Sequence, residues 1–224
     1  MSEKKQMSET YRLGIILAAI GGFLDAYTYI SRGGVFANAQ TGNIVFLGIY
    51  IAQRNWEMVG FYLLPILAFS IGIFIAEIIQ KKYKYNDGLH WRQIVLLIEF
   101  VTLFIVGFIP AGNLNTLSNI LISFVCSLQV KGFRKLNGSA YSTTMCTGNL
   151  RSATENLYKY IQKKDKHSLR VSLQYYGIIC FFIIGAIVGS LLTHIFFTKA
   201  VFFVLLALTA AFCLMFIEEV EKRF

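Results

Sequence analysis

Ala39-Gln40-Thr41-Gly42-Asn43 opens an apolar run that continues to residue 52, and its core returns as Cys146-Thr147-Gly148-Asn149 ahead of residues 150–161. Each copy predicts an extended approach that turns at Gly and starts a helix, with Thr as N-cap and Asn in the first turn. A helix N-terminus carries free backbone N–H groups and positive partial charge. Lipid satisfies neither, so two such termini in an apolar chain need protein or a water-filled cavity around them.

The surrounding chain is apolar enough to make that requirement real. Of 224 residues, 56% are hydrophobic, and they come in blocks rather than at alternating spacing. Six blocks approach the ~20 residues that cross a bilayer: residues 13–31, 59–79, 93–109, 116–130, 171–195 and 200–217. One Thr-Gly-Asn segment falls between the first and second blocks, the other between the fourth and fifth. The helix begun at Thr41 would run ~18 Å, near half of a hydrocarbon core ~30 Å thick. The expected fold is all-α: a polytopic membrane protein with about six transmembrane helices and two re-entrant half-helices, forming one integral domain over residues 1–224.

The order of these parts repeats. Thr41 and Thr147 stand 106 positions apart, close to half of the chain, and Gly72-xxx-Ala76 is answered by Gly185-xxx-Gly189. Small residues at this spacing let membrane helices approach closely. Three spans per copy is an odd number, so the second copy should run upside down: an inverted three-plus-three repeat over residues 12–110 and 114–217.

The net charge of +9 carries no nucleic-acid motif with it, so nucleic acid is set aside as a partner and the charge is read against the bilayer. With the N-terminus inside and both Thr-Gly-Asn segments re-entrant, 17 Lys and Arg side chains fall inside and three outside (Arg32, Arg54, Lys199). That bias places both termini in the cytoplasm. A seven-span alternative with the N-terminus outside keeps a bias of 16 to 5. The six-span reading is preferred because Arg151, Glu155 and Asn156 make the second copy too polar to cross.

Among single residues, Asp25 shares a helical face with Gly14, Ala18, Gly21 and Thr28. It is either a proton or cation site, or an acceptor that ties a re-entrant loop down. Glu99 is the other acid within a block. It is expected to pair structurally, with Arg151 or a loop Lys, and is a second candidate for proton or ion coupling. Arg151 opposes the dipole in the first turn of the second half-helix, so it either helps hold an anion or pairs with Glu155 at i+4. Asn119, Ser123 and Ser127 line one face of the fourth block. The substrate-binding set is Asp25, Asn38, Gln40, Thr41, Gly42, Asn43, Thr147, Gly148, Asn149 and Arg151. The four scattered cysteines fit no metal or disulfide pattern. No catalytic constellation appears, so no enzyme activity, metal or cofactor is expected.

The stretch Gly22-Phe23-Leu24-Asp25-Ala26 through Val35-Phe36-Ala37-Asn38 and the first Thr-Gly-Asn resembles the N-terminal signature of the YoaK-like family of small bacterial integral membrane proteins. Ser142-Thr143-Thr144-Met145-Cys146-Thr147-Gly148-Asn149 is similar to its second signature. The resemblance implies a multi-pass protein of the bacterial cytoplasmic membrane and supplies neither a substrate nor catalytic residues. The function expected is a small-solute transporter or channel, its site between the two termini, taking an anionic or polar solute. The competing expectation is a non-transport scaffold or assembly factor whose polar groups only hold the loops. Homo-oligomers are compatible with either.

Overall fold

The computed structural model describes residues 10–84, 90–136, 139–140 and 146–221. Lys4, Lys5, Lys222, Arg223 and the approach Ser142-Thr143-Thr144-Met145 lie outside these residues. The helices are α1 (Tyr11–Ser31), α2 (Gln40–Ala52), α3 (Trp56–Tyr83), α4 (Trp91–Val106), α5 (Asn115–Gly132), α6 (Cys146–Lys163), α7 (Lys166–Phe196) and α8 (Phe202–Glu221). Between α5 and α6, β1 (Lys135–Leu136) pairs antiparallel with β2 (Ser139–Ala140), a two-residue departure from the all-helical expectation.

Among the described residues, three stretches are long and apolar enough to cross a bilayer: Tyr11–Ser31, Trp56–Tyr83 and Lys166–Met215. The last contains α7 and α8, joined through a 3-10 turn (Phe197–Val201) at whose start Phe197 takes φ 50°. With 16 residues α4 is short for a span, and Asn, Ser, Gln and Lys dilute the hydropathy of α5. Large apolar side chains nevertheless face outward along these helices: Phe74 on α3, Leu191 on α7 and Val101 on α4 are 68%, 59% and 49% exposed. Such a surface suits lipid rather than water.

The core is built on α1. It packs along α7, as α5 packs along α3. The half-length α2 lies on α3 and α6 lies on α7, while α4 rests on α5 and α8 on α1. Small residues set the closest approaches. A Cβ at Gly22 would strike the Phe182 carbonyl, one at Gly185 the Ala19 carbonyl, and one at Gly72 the Phe124 carbonyl and Ser127 hydroxyl. The Gly-xxx-small pairs of α3 and α7 are therefore the surfaces that receive α5 and α1.

Each short helix turns back into its long partner in the same way. A basic residue takes positive φ (Arg54 at 57°, Lys164 at 53°), and the next residue caps the following helix. Asn55 Oδ1 accepts from Met58 N, and the Asp165 carboxylate accepts from the backbone N–H groups of His167 and Ser168. The two short helices differ in length. α2 has 13 residues, whereas α6 has 18 and is longer than the half-helix expected, because nothing breaks it before Lys164.

Candidate functional site

A cavity of about 680 Å³ lies between the N-terminal ends of α2 and α6. From the first half of the chain its wall takes Asp25, Tyr29, Ile30, Phe36, Asn38, Gln40, Thr41 and Phe69; from the second it takes Cys146, Thr147, Gly148, Phe182 and Ser190. The two Thr-Gly-Asn segments, distant in sequence, thus meet at one space. Its size is that of a small-molecule pocket.

Thr41 and Thr147 are not the N-caps that the sequence predicted. α2 begins one residue earlier, its N-cap is Ala39, and no side chain of the cap residue bonds the first turn; α6 likewise begins at Cys146. A carboxylate from another helix does the work instead. Asp25 Oδ1 accepts from Asn38 N at 2.7 Å, immediately before α2. Other polar groups of this entry bond locally: Gln40 N donates to Asn38 O at 2.8 Å, Gly42 N to Ala39 O at 3.0 Å, and Asn38 Nδ2 to Gly21 O at 3.2 Å, while Asn38 Oδ1 is buried without a hydrogen bond among the described residues. Freed from capping, Thr41 and Thr147 are exposed at the cavity, and neither hydroxyl bonds a described residue.

Asn43 is fully buried and serves the loop. Its Oδ1 accepts from Phe36 N at 3.0 Å, while its Nδ2 donates to Phe36 O at 2.7 Å and Gln40 Oε1 at 2.9 Å. This folds the Phe36 ring back over Gly42, where a Cβ would sit 3.0 Å from the ring. The same ring stacks on Tyr29 with centroids 4.9 Å apart. Asn149, at the matching place in α6, is also buried. Neither Asn43 nor Asn149 lines the cavity.

Two expectations for charged residues need correction. Arg151 is not at the cavity: its side chain is 80% exposed and its Nε donates to Glu155 Oε1 at 2.8 Å. The helical phase turns it away from the terminus, and the i+4 pairing is the arrangement present. Glu99 pairs neither with Arg151 nor with a Lys. It is fully buried, and both carboxyl oxygens lack a hydrogen bond among the described residues. Glu77 at the end of α3 is ion-paired with Lys131.

One residue that the sequence reading placed in an outer loop is central. Arg32 is 0% exposed. Its guanidinium donates to the carbonyls of Val106, Ile109 and Pro110 at the end of α4 and to the Tyr27 hydroxyl. Its own carbonyl accepts from Asn119 Nδ2 at 2.9 Å. Only its place directly before Gly33-Gly34, both at positive φ, hints in sequence that the chain folds back there.

An apolar, outward-facing helical surface around a core of buried polar groups defines a helical membrane protein. The chain belongs to the family described as protein of unknown function (DUF1275), which it matches over residues 13–215. It is similar to the UPF0700 transmembrane protein YoaK of Bacillus subtilis (strain 168), 28% identical over 185 residues that cover 79% of this chain and 80% of that one. No solved structure matches it.

Proposed function

We propose that the chain is a small-solute transporter or channel of the bacterial cytoplasmic membrane, with its site in the cavity between α2 and α6. The observation that carries this reading is the meeting of Thr41 and Thr147 at one cavity whose wall also holds a carboxylate. In this reading α1, α3, α4, α5, α7 and α8 cross the membrane, α2 and α6 are re-entrant, and both termini are cytoplasmic. The pairings α1 on α7 and α5 on α3, α2 on α3 and α6 on α7, and α8 on α1 and α4 on α5 exchange with one another when the halves are swapped. That exchange and the two matched turns at Arg54-Asn55 and Lys164-Asp165 support an inverted repeat. Asp25 at the cavity and the fully buried Glu99 are the groups proposed to couple transport to protons or ions.

A second reading, a scaffold, draws on the hydrogen bonds of Asp25, Asn38 and Asn43, which hold the loop whether or not a solute passes. Cysteine labelling separates the two. In a variant without Cys126, Cys146, Cys180 and Cys213, Thr41→Cys and Thr147→Cys are each exposed to a small membrane-impermeant thiol reagent. Labelling of the two positions from opposite sides supports transport; protection of both from either side supports the scaffold.

A further inference from the structure

We infer that the cavity takes a small amphiphilic organic cation, an ammonium group carried on an apolar or aromatic body, rather than an anion. The inference rests on the transport reading and names the solute for that same site. Asp25 is the one formally charged group among the described residues of the wall. The cation that would have favoured an anion, Arg151, is exposed and ion-paired elsewhere. At the α2 entry the Asn38, Gln40 and Gly42 amides already donate, to Asp25, Asn38 O and Ala39 O. The rest of the described wall is uncharged: polar side chains such as Asn38, Gln40, Thr41 and Thr147 stand beside an aromatic face in which Tyr29 stacks on Phe36 and which Phe69 and Phe182 extend. An ammonium is attracted by a carboxylate and by ring faces, and its apolar body is desolvated favourably by the same wall.

The test is equilibrium dialysis of the full chain in nanodiscs against radiolabelled benzyltrimethylammonium, with phenylacetate as the anionic counterpart of similar size. The expected result is saturable binding of the cation that phenylacetate does not displace. Asp25→Asn should weaken it by roughly tenfold. Because Asp25 also ties the loop, Thr147→Lys provides a second variant: it adds a positive charge at an exposed wall position without touching that tie, and it should weaken the cation to a similar degree. Cation binding unchanged in both variants overturns the proposal. Saturable phenylacetate binding without cation binding also overturns it, and leaves the transport reading standing. If neither probe binds while Thr41→Cys and Thr147→Cys still label, the cation proposal alone falls. If neither probe binds and neither cysteine labels, both readings fall.

Discussion

The Tyr27 hydroxyl stands between Arg32 and the turn that joins α7 to α8: it accepts from Arg32 Nη2 at 2.8 Å and donates to Thr198 O at 2.9 Å. Through this pair the end of α1 is bound at once to the end of α4 and to the turn that precedes α8. Arg32→Met would remove a donor from three carbonyls and a phenol in a buried place, leaving Val106 O with the Ile109 amide, at a cost on the order of 3 kcal/mol. Arg32→Lys should rescue only part of this, since an ammonium cannot reproduce the fork. Thermal unfolding in detergent checks both, and an unchanged midpoint for Arg32→Met would sink the assignment.

Asn43 must both donate and accept. Asn43→Ala should destabilise by about 2 kcal/mol, because the peptide of Phe36 loses both partners. Asn43→Asp should be at least as damaging, since it turns the donor facing Phe36 O into a second acceptor. Equal unfolding midpoints for wild type and Asn43→Asp would show that the clamp contributes nothing.

Glycines should divide sharply by position. Gly22→Ala and Gly185→Ala set a methyl against a neighbouring carbonyl and should lower the yield of folded protein or shift its melting by many degrees. Gly60→Ala, where a Cβ meets nothing within 4 Å, should be neutral or stabilising by up to about 1 kcal/mol through helix propensity. Comparable losses at all three positions would contradict the packing described.

Asp165 supplies a pH test outside the membrane. The Ser168 hydroxyl and then the amides of His167 and Ser168 hold its carboxyl below the usual aspartate range. A depressed folded value stabilises the α7 terminus above the unfolded value of about 3.9 and loses that stabilisation as pH falls through the folded value. Hydrogen exchange at His167 and Ser168 should thus be faster in Asp165→Ala than in wild type at neutral pH, with the difference vanishing in acid. A difference that persists unchanged in acid would rule out the carboxylate as its source.

Arg151→Ala removes an exposed pair remote from the cavity. It should leave benzyltrimethylammonium binding where it was. A large loss would return Arg151 to the site.

What could be read from the sequence was what depends on short-range pattern. The apolar blocks at 13–31, 59–79 and 171–195 became α1, α3 and α7, because block length and small-residue spacing are local properties. The meeting of two Thr-Gly-Asn termini was legible from the repeat. The N-cap assignment to Thr41 was not, because the acceptor for the loop came from Asp25 on a different helix, and tertiary contact outweighed the local capping preference. Arg32 looked like a loop cation because it precedes Gly33-Gly34; nothing local says that the carbonyls of Val106, Ile109 and Pro110, at and just past the end of α4, converge on it. The direction of Arg151 hangs on the exact helical phase of α6, which starts one residue before the expected cap.

The matched turns at Arg54-Asn55 and Lys164-Asp165 have a mechanical meaning. α1 with α7, and α3 with α5, meet backbone to backbone at glycine. Each short helix doubles back through a two-residue turn onto the long helix that follows it, α2 onto α3 and α6 onto α7. Each half of the cavity mouth is thus shelved on a helix of its own half of the chain.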